Sequence, residues 1–156
     1  MIKAKINLLC MAGSAKPSPK LGQSLGPLGI NMMQFCKDFN EKTSIFNPEC
    51  PIRVRLTSMT DRTYSFKLKP PPTSWFIKRI LMQDKLAKNA KAETPKFVGI
   101  KYIYEIAKIK KEMDYDLSSM ELESICSMII NQCKSMGVEV MFNQEEPKPY
   151  KVNIKI

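Results

Sequence analysis

Ile2, Ala4, Ile6 and Leu8 alternate with Lys3, Lys5 and Asn7, a period of two that predicts a strand with one wet face. Between Met11 and Gly29 the punctuation by Gly13, Pro17, Pro19, Gly22, Gly26, Pro27 and Gly29 predicts a shaped loop. Asn31 is placed as an N-cap with Gln34 three residues on, Ile30 and Phe35 flank it as a hydrophobic staple, and a helix is expected from about Met32 to Glu41. Ile52, Val54 and Leu56 alternate with Arg53, Arg55 and Thr57; past Thr60 and Asp61 the alternation resumes in Tyr64, Phe66 and Leu68, which predicts a hairpin. Beyond Pro70, Pro71 and Pro72 the period turns helical, in three groups: Trp75, Phe76, Ile80 and Leu81; Ile103, Ile106, Ala107 and Lys110; Leu122, Ile125, Ile129, Cys133 and Met136. Thr73 and Ser74 are capping candidates for the first group, and Ser118 with Glu121 spells a capping box for a helix from about Ser119 to Met136. Gly137 stands where a left-handed residue would end that helix. Apolar stretches around Val98 and from Val138 to Val140 are expected to pair as a short ribbon.

The pattern predicts an α+β chain of two small domains. Residues 1–69 would hold an N-terminal three-stranded antiparallel sheet with helices, and 75–142 a C-terminal three-helix domain with a short two-stranded ribbon. Residues 70–74 form a stiff, proline-rich hinge, because prolines donate no backbone hydrogen bond and favour extended paths. Residues 143–156 are left as a C-terminal extension.

Charge sharpens this outline. The 156 residues carry 25 lysines and arginines against 15 acidic side chains, a net of +10 that favours a polyanionic partner, nucleic acid first. Residues 1–74 hold 11 basic and 4 acidic side chains, 78–111 hold 10 and 3, and 112–146 reverse the sign with 8 acidic residues and only Lys134 basic. The third helix must therefore meet a polyanion by its Lys134 end, since Glu121 and Glu123 at its start would be repelled. That singles out Gln132 to Gly137. The lysines Lys85, Lys88, Lys91, Lys96 and Lys101 are candidates for phosphate contacts; taken alone, they also fit a solvated basic face.

Catalytic chemistry finds no footing. There is no histidine, and Asp114 and Asp116, the nearest to a carboxylate pair, are expected in a solvated turn. Neither GxGxxG nor GxxxxGK[ST] occurs, so no nucleotide cofactor or small-molecule substrate is expected. The five cysteines, Cys10, Cys36, Cys50, Cys126 and Cys133, are odd in number and never spaced as CxxC, which suits a reducing compartment and no metal. No apolar run approaches the ~20 residues of a membrane span, and the first residues alternate with lysine where a secretion signal would have an apolar core. The Pro17–Gly22 segment suits a binding loop or a plain connection, and Trp75 suits packing better than stacking on a ligand.

These residues accumulate into a resemblance. Ala12-Gly13, Pro17-Ser18-Pro19, Leu21-Gly22, Leu25-Gly26, Gly29-Ile30-Asn31, Met33, Phe35-Cys36-Lys37, Phe39-Asn40 and Lys42-Thr43 resemble the pattern of large-subunit ribosomal protein eleven. Asp61-Arg62, Pro71-Pro72, Val98-Gly99, Glu105-Ile106-Ala107 and Lys134-Ser135-Met136-Gly137-Val138 follow in the same order, so the likeness covers about residues 3–141. It implies a non-catalytic stalk-base protein whose C-terminal domain grips the GTPase-associated region of large-subunit rRNA. Its N-terminal domain would be hinged at the factor-binding site. The partners implied are that rRNA, the stalk protein, and elongation factor G and other translational GTPases in transient contact.

By the same resemblance, Lys85, Lys88, Asn89, Lys91, Lys96, Gln132, Lys134, Ser135, Met136 and Gly137 would meet the rRNA. Pro17, Ser18, Pro19, Lys20, Gly22, Gly26, Gly29 and Asn31 would form the loop and short helix facing RNA, factors and the thiopeptide site, and Lys37 matches a position often methylated in bacterial members. Three departures stand out. Lys20 replaces a second proline of bacterial members, Asn131-Gln132 replaces Gly-Thr, and Asn89, Ala90 and Ala92 fill a loop usually rich in glycine. With the lysine-heavy composition they point to an organellar, mitochondrial ribosome, with bacterial cytoplasm or another organelle as alternatives. The rival readings are a small-molecule enzyme, which lacks a catalytic constellation, and a basic protein-interaction module away from the ribosome.

Overall fold

A computed structural model of the chain describes residues 1–48, 50–88 and 93–142. The chain divides into two compact units between Pro71 and Pro72.

The first unit is a three-stranded antiparallel sheet covered on one face by helices. Strand β1 (Ile2–Met11) pairs with β2 (Pro51–Met59), which pairs with β3 (Tyr64–Lys69). The register sets Ile6 opposite Leu56 and Leu56 opposite Phe66, so the apolar set of each strand falls on the same face. Helix α2 (Met32–Lys42) covers that face with Phe35 and Phe39, both wholly buried. Phe35 meets Phe66 edge-on at 5.6 Å and Tyr64 at 6.2 Å between ring centroids. Each such fully buried ring stabilises the unit by about 1.5–3 kcal/mol. Tyr64 Oη donates to Asp38 Oδ2 at 2.5 Å, and burial with this bond pushes the Tyr64 hydroxyl up. The hairpin turns through Arg62 at φ 61 and is closed by Met59 N–H donating to Thr63 O at 2.9 Å.

The loop expected between Met11 and Gly29 contains a helix. Pro19 to Leu25 form α1, followed by a 3-10 turn over Gly26–Leu28. Glycine and proline density misleads here because Pro19 occupies the first helical position, where no N–H is needed, and Leu21 and Leu25 supply a buried i, i+4 pair. The Asn31 cap forms, accepting from Met33 N–H and Gln34 N–H, but Gln34 donates to Asp38 Oδ1 at 2.8 Å, so the reciprocal half of the box is absent.

In the second unit α3 (Thr73–Ile80), α4 (Ile100–Met113) and α5 (Leu122–Ser135) enclose a core of Phe76, Ile77, Ile103, Ile106, Ile125 and Ile129. Strands β4 (Lys96–Gly99) and β5 (Val138–Met141) pair in parallel, with two helices in the crossover that parallel pairing requires. Three local expectations fail. Thr73 and Ser74 are the first residues of α3, behind Pro72 as N-cap without a side-chain bond. Ser118 Oγ donates to Tyr115 O at 2.8 Å, so the Ser118–Glu121 box does not form and α5 begins at Leu122. Asp114 is buried rather than solvated; its Oδ1 accepts from Asp116 N–H at 3.1 Å and holds the turn after α4. The C-terminal extension lies outside the described residues.

Candidate nucleic-acid interface

The end of α5 is built by its cap. Met136 N–H donates to Cys133 O at 2.9 Å and Gly137 N–H to Lys134 O at 3.2 Å, with Gly137 at φ 72. Only a residue tolerant of the left-handed region turns the chain here directly into β5. Buried Cys133 anchors the last turn below, its thiol pushed up to about 11 by burial. Gln132, Lys134 and Ser135 are left exposed, Met136 is half-buried and Gly137 buried. Ser135 Oγ donates back to Gln132 O at 2.6 Å, which fixes the hydroxyl along the edge of the helix.

Parallel pairing brings the second part of the surface to this point. Lys96 lies opposite Val138, and its N–H donates to Gly137 O at 3.1 Å. The ammonium of Lys96 in turn contacts Gln83 Oε1, and Gln83 N–H donates to Lys78 O at 2.9 Å, tying the stretch after α3 to the same edge. Lys85 and Lys88 are exposed on that stretch, and Lys88 N–H donates to Glu93 Oε1 at 3.0 Å. Asn89 and Lys91 lie outside the described residues. A helix C-terminus carries about half a negative charge, which disfavours a phosphate, so attraction at this edge must come from the lysine side chains. Glu121 and Glu123 sit at the opposite end of α5.

In the first unit Ser18 caps α1, accepting from Leu21 N–H at 3.4 Å; Pro17 before the cap and Pro19 and Lys20 in the first turn are exposed. Asn40 clamps the approach to this segment: its Oδ1 accepts from Ala15 N–H at 2.8 Å and its Nδ2 donates to Ala15 O at 3.0 Å. Gly22 is half-buried within α1; Gly26, Gly29 and Asn31 are exposed, with Gly29 at φ 73 ending the 3-10 turn. Lys37 is exposed on α2.

The sequence is similar to known proteins along both units. Residues 6–64 match the family model described as ribosomal protein L11, N-terminal domain, and 69–140 match ribosomal protein L11, RNA binding domain. The chain belongs to the ribosomal protein L11 family. Among similar proteins, large ribosomal subunit protein uL11m of Schizosaccharomyces pombe is 38% identical over 136 residues, covering 87% of this chain and 94% of the relative. The protein of the same name in Caenorhabditis elegans is 37% identical over 136 residues, covering 87% of this chain and 69% of the relative.

As an L11-family chain it is a structural ribosomal constituent with an RNA-binding domain, not an enzyme. Among the described residues no group of three or more histidine, cysteine or carboxylate side chains is placed to hold a metal, and no helix is long and apolar enough to cross a membrane. None of the five cysteines is in a disulfide.

The structure joins Lys96 to Gln132–Gly137, residues more than thirty positions apart, through one strand pair. Sequence reasoning missed Gln83, whose contact with Lys96 depends on where the chain runs after α3. It also did not single out Phe97 for stacking, although this ring is 50% exposed beside Lys96. Its place in an alternating Lys96-Phe97-Val98 run, with Val98 taking the buried face, is the signal that would have found it.

Proposed function

We propose that the second unit grips the GTPase-associated region of large-subunit rRNA through the edge formed by Lys85, Lys88, Lys96, Gln132, Lys134, Ser135, Met136 and Gly137, together with Asn89 and Lys91. The observation that carries this is the strand pairing that seats Lys96 against the capped end of α5. Small, exposed Ser135 lets a backbone come close, lysines neutralise phosphates, and exposed Phe97 offers a ring to an unstacked base.

The first unit then stands at the stalk base, presenting Pro17, Ser18, Pro19, Lys20, Gly22, Gly26, Gly29 and Asn31 to RNA and arriving translational GTPases, elongation factor G among them, beside the stalk protein. Pro70 to Ser74 act as its hinge, and Lys37 is the methylation position. The ribosome is the mitochondrial one: the uL11m relatives of a yeast and a nematode support this, as do the departures at Lys20, Asn131-Gln132 and Asn89 to Ala92.

Filter binding of the whole chain to a GTPase-centre RNA transcript tests the site. Binding should weaken steeply with salt, and Lys134→Glu should lower affinity and reduce the salt slope by about 0.7–0.9 for the phosphate contact removed. Equal affinity for an unfolded RNA of the same composition would refute it.

A further inference from the structure

Among the described residues two that are not glycine hold a positive φ, Arg62 at 61 and Met82 at 50. The hairpin loop of the first unit demands the one at Arg62. Met82 stands instead just past the end of α3. Its N–H donates to Arg79 O at 3.3 Å and Gln83 N–H donates to Lys78 O at 2.9 Å, the paired bonds of a Schellman ending, whose left-handed position glycine or asparagine normally fills. A residue with a Cβ is strained there. The apolar contact that often accompanies such an ending joins the next residue to the third helical residue from the end. Here those are Gln83 and Lys78, both polar, and Gln83 Oε1 accepts from the Lys96 ammonium. The Met82 side chain is 65% exposed, so packing inside the fold does not offset the strain either.

The surroundings of Met82 say what its side chain can meet. Gln83 reaches Lys96, and Lys96 N–H donates to Gly137 O at 3.1 Å, so Met82 borders the edge where β4 meets the end of α5. A phosphate is a poor fit at Met82 itself: the C-terminus of α3 carries partial negative charge, and Asp84 is exposed two residues on. An unbranched, polarisable thioether suits the flat apolar face of a base that has left its stack. The helix-end bonds on either side hold the backbone, so the side chain is offered from a fixed point.

We propose that Met82 is an RNA-contacting residue of the second unit, packed against an unstacked base of large-subunit rRNA, which rests on the reading of the Lys96–Gly137 edge as the RNA site and extends it. Strain at a left-handed residue persists where the surroundings fix it and a bound partner uses it.

Binding of the whole chain to a GTPase-centre RNA transcript, read beside calorimetric melting, tests this. Met82→Gly should melt higher by about 4 °C or more, because the strain is relieved. The same variant should bind the RNA about 5- to 10-fold more weakly, the loss expected for one buried apolar side chain. Its slope of log affinity against log salt should stay at the native value, since no phosphate contact is removed. Met82→Leu should keep the affinity within about twofold. Met82→Asn tolerates the left-handed region but is polar, and should weaken binding as much as glycine does, which separates loss of the side chain from loosening of the backbone. Native affinity in Met82→Gly or Met82→Asn overturns the proposal, as does a changed salt slope, a loss in Met82→Leu equal to that in Met82→Gly, or a glycine variant that melts no higher. Lys134→Glu run alongside keeps the two claims apart: weaker binding there with native affinity in Met82→Gly leaves the α5 edge standing without Met82, and the converse leaves Met82 without the edge.

Discussion

Gly137→Ala isolates the backbone requirement at the end of α5 from the side-chain contacts around it. Gly137 sits at φ 72, gives its N–H to Lys134 O at 3.2 Å and receives Lys96 N–H on its carbonyl at 3.1 Å. A Cβ in the left-handed region costs roughly 1–2 kcal/mol. The lower entropy of an unfolded chain with alanine returns roughly 0.5 kcal/mol of that. The net loss is about 1 kcal/mol, which for a domain of this size moves the midpoint of melting down by about 4–8 °C. If the chain instead relieves the strain by rotating out of the left-handed region, the Lys96 bond and the start of the β4–β5 pair go with it. Differential scanning calorimetry of the whole chain reads the effect. Gly137→Asn should recover part of the loss because asparagine tolerates this region. A midpoint for Gly137→Ala within 1 °C of the native value, about the precision of the scan, would refute the strain argument, and so would asparagine and alanine behaving alike.

Asn40→Ala removes both bonds to Ala15. It should destabilise the first unit by about 1–3 kcal/mol and speed tryptic cleavage after Lys20, as read by limited proteolysis. Ile129→Ala empties a wholly enclosed site in the second unit. It should cost about 2–5 kcal/mol by urea denaturation and reduce RNA affinity together with stability. Burial holds the Cys10 and Cys133 thiols at about 11 against an ordinary 9.0, with nearby Cys36 adding to the shift at Cys10. The folded chain therefore keeps these protons to higher pH than the unfolded chain, and their contribution, full below 9.0, is lost as pH rises through 11. Urea midpoints measured at several pH values across that window should fall, and fall less in Cys133→Ala. Under native conditions a maleimide should label half-buried Cys126 ahead of buried Cys10, Cys36, Cys50 and Cys133.

Strands and long helices were legible because their periods are set by burial. Every apolar position named in β2, Ile52, Val54 and Leu56, faces the core. Local chemistry was a poorer guide wherever two rules compete. The Pro17–Gly29 run carries both loop-forming residues and a Leu21/Leu25 helical pair, and tertiary burial of the leucines decides for the helix. Ser118 and Glu121 have the spacing of a capping box, yet the Ser118 hydroxyl is taken by Tyr115 O in the preceding turn. Asp114 is polar and follows a helix, which reads as solvated, but the turn it organises folds back against the core.

At the candidate site, charge polarity along α5 singled out Lys134 and its neighbours for the proposal from sequence alone. Gln83 was out of reach because no local pattern encodes a contact between a post-helix segment and a strand thirteen residues later. Arg53, Arg55, Lys67 and Lys69 are plain in the sequence, but only the register shows that Arg53 stands opposite Lys69 and Arg55 opposite Lys67. Alternation says which face a residue takes; pairing says what it faces.

The central claim is that the second unit holds RNA by the edge where β4 meets the end of α5. Ultraviolet crosslinking of assembled large subunits, followed by mass spectrometry of the peptides attached to nucleotides, examines this directly. Peptides bearing Lys96-Phe97 and Gln132–Gly137 should carry the crosslinks. Their absence, with crosslinks instead on the acidic Leu117–Glu123 segment, would contradict it.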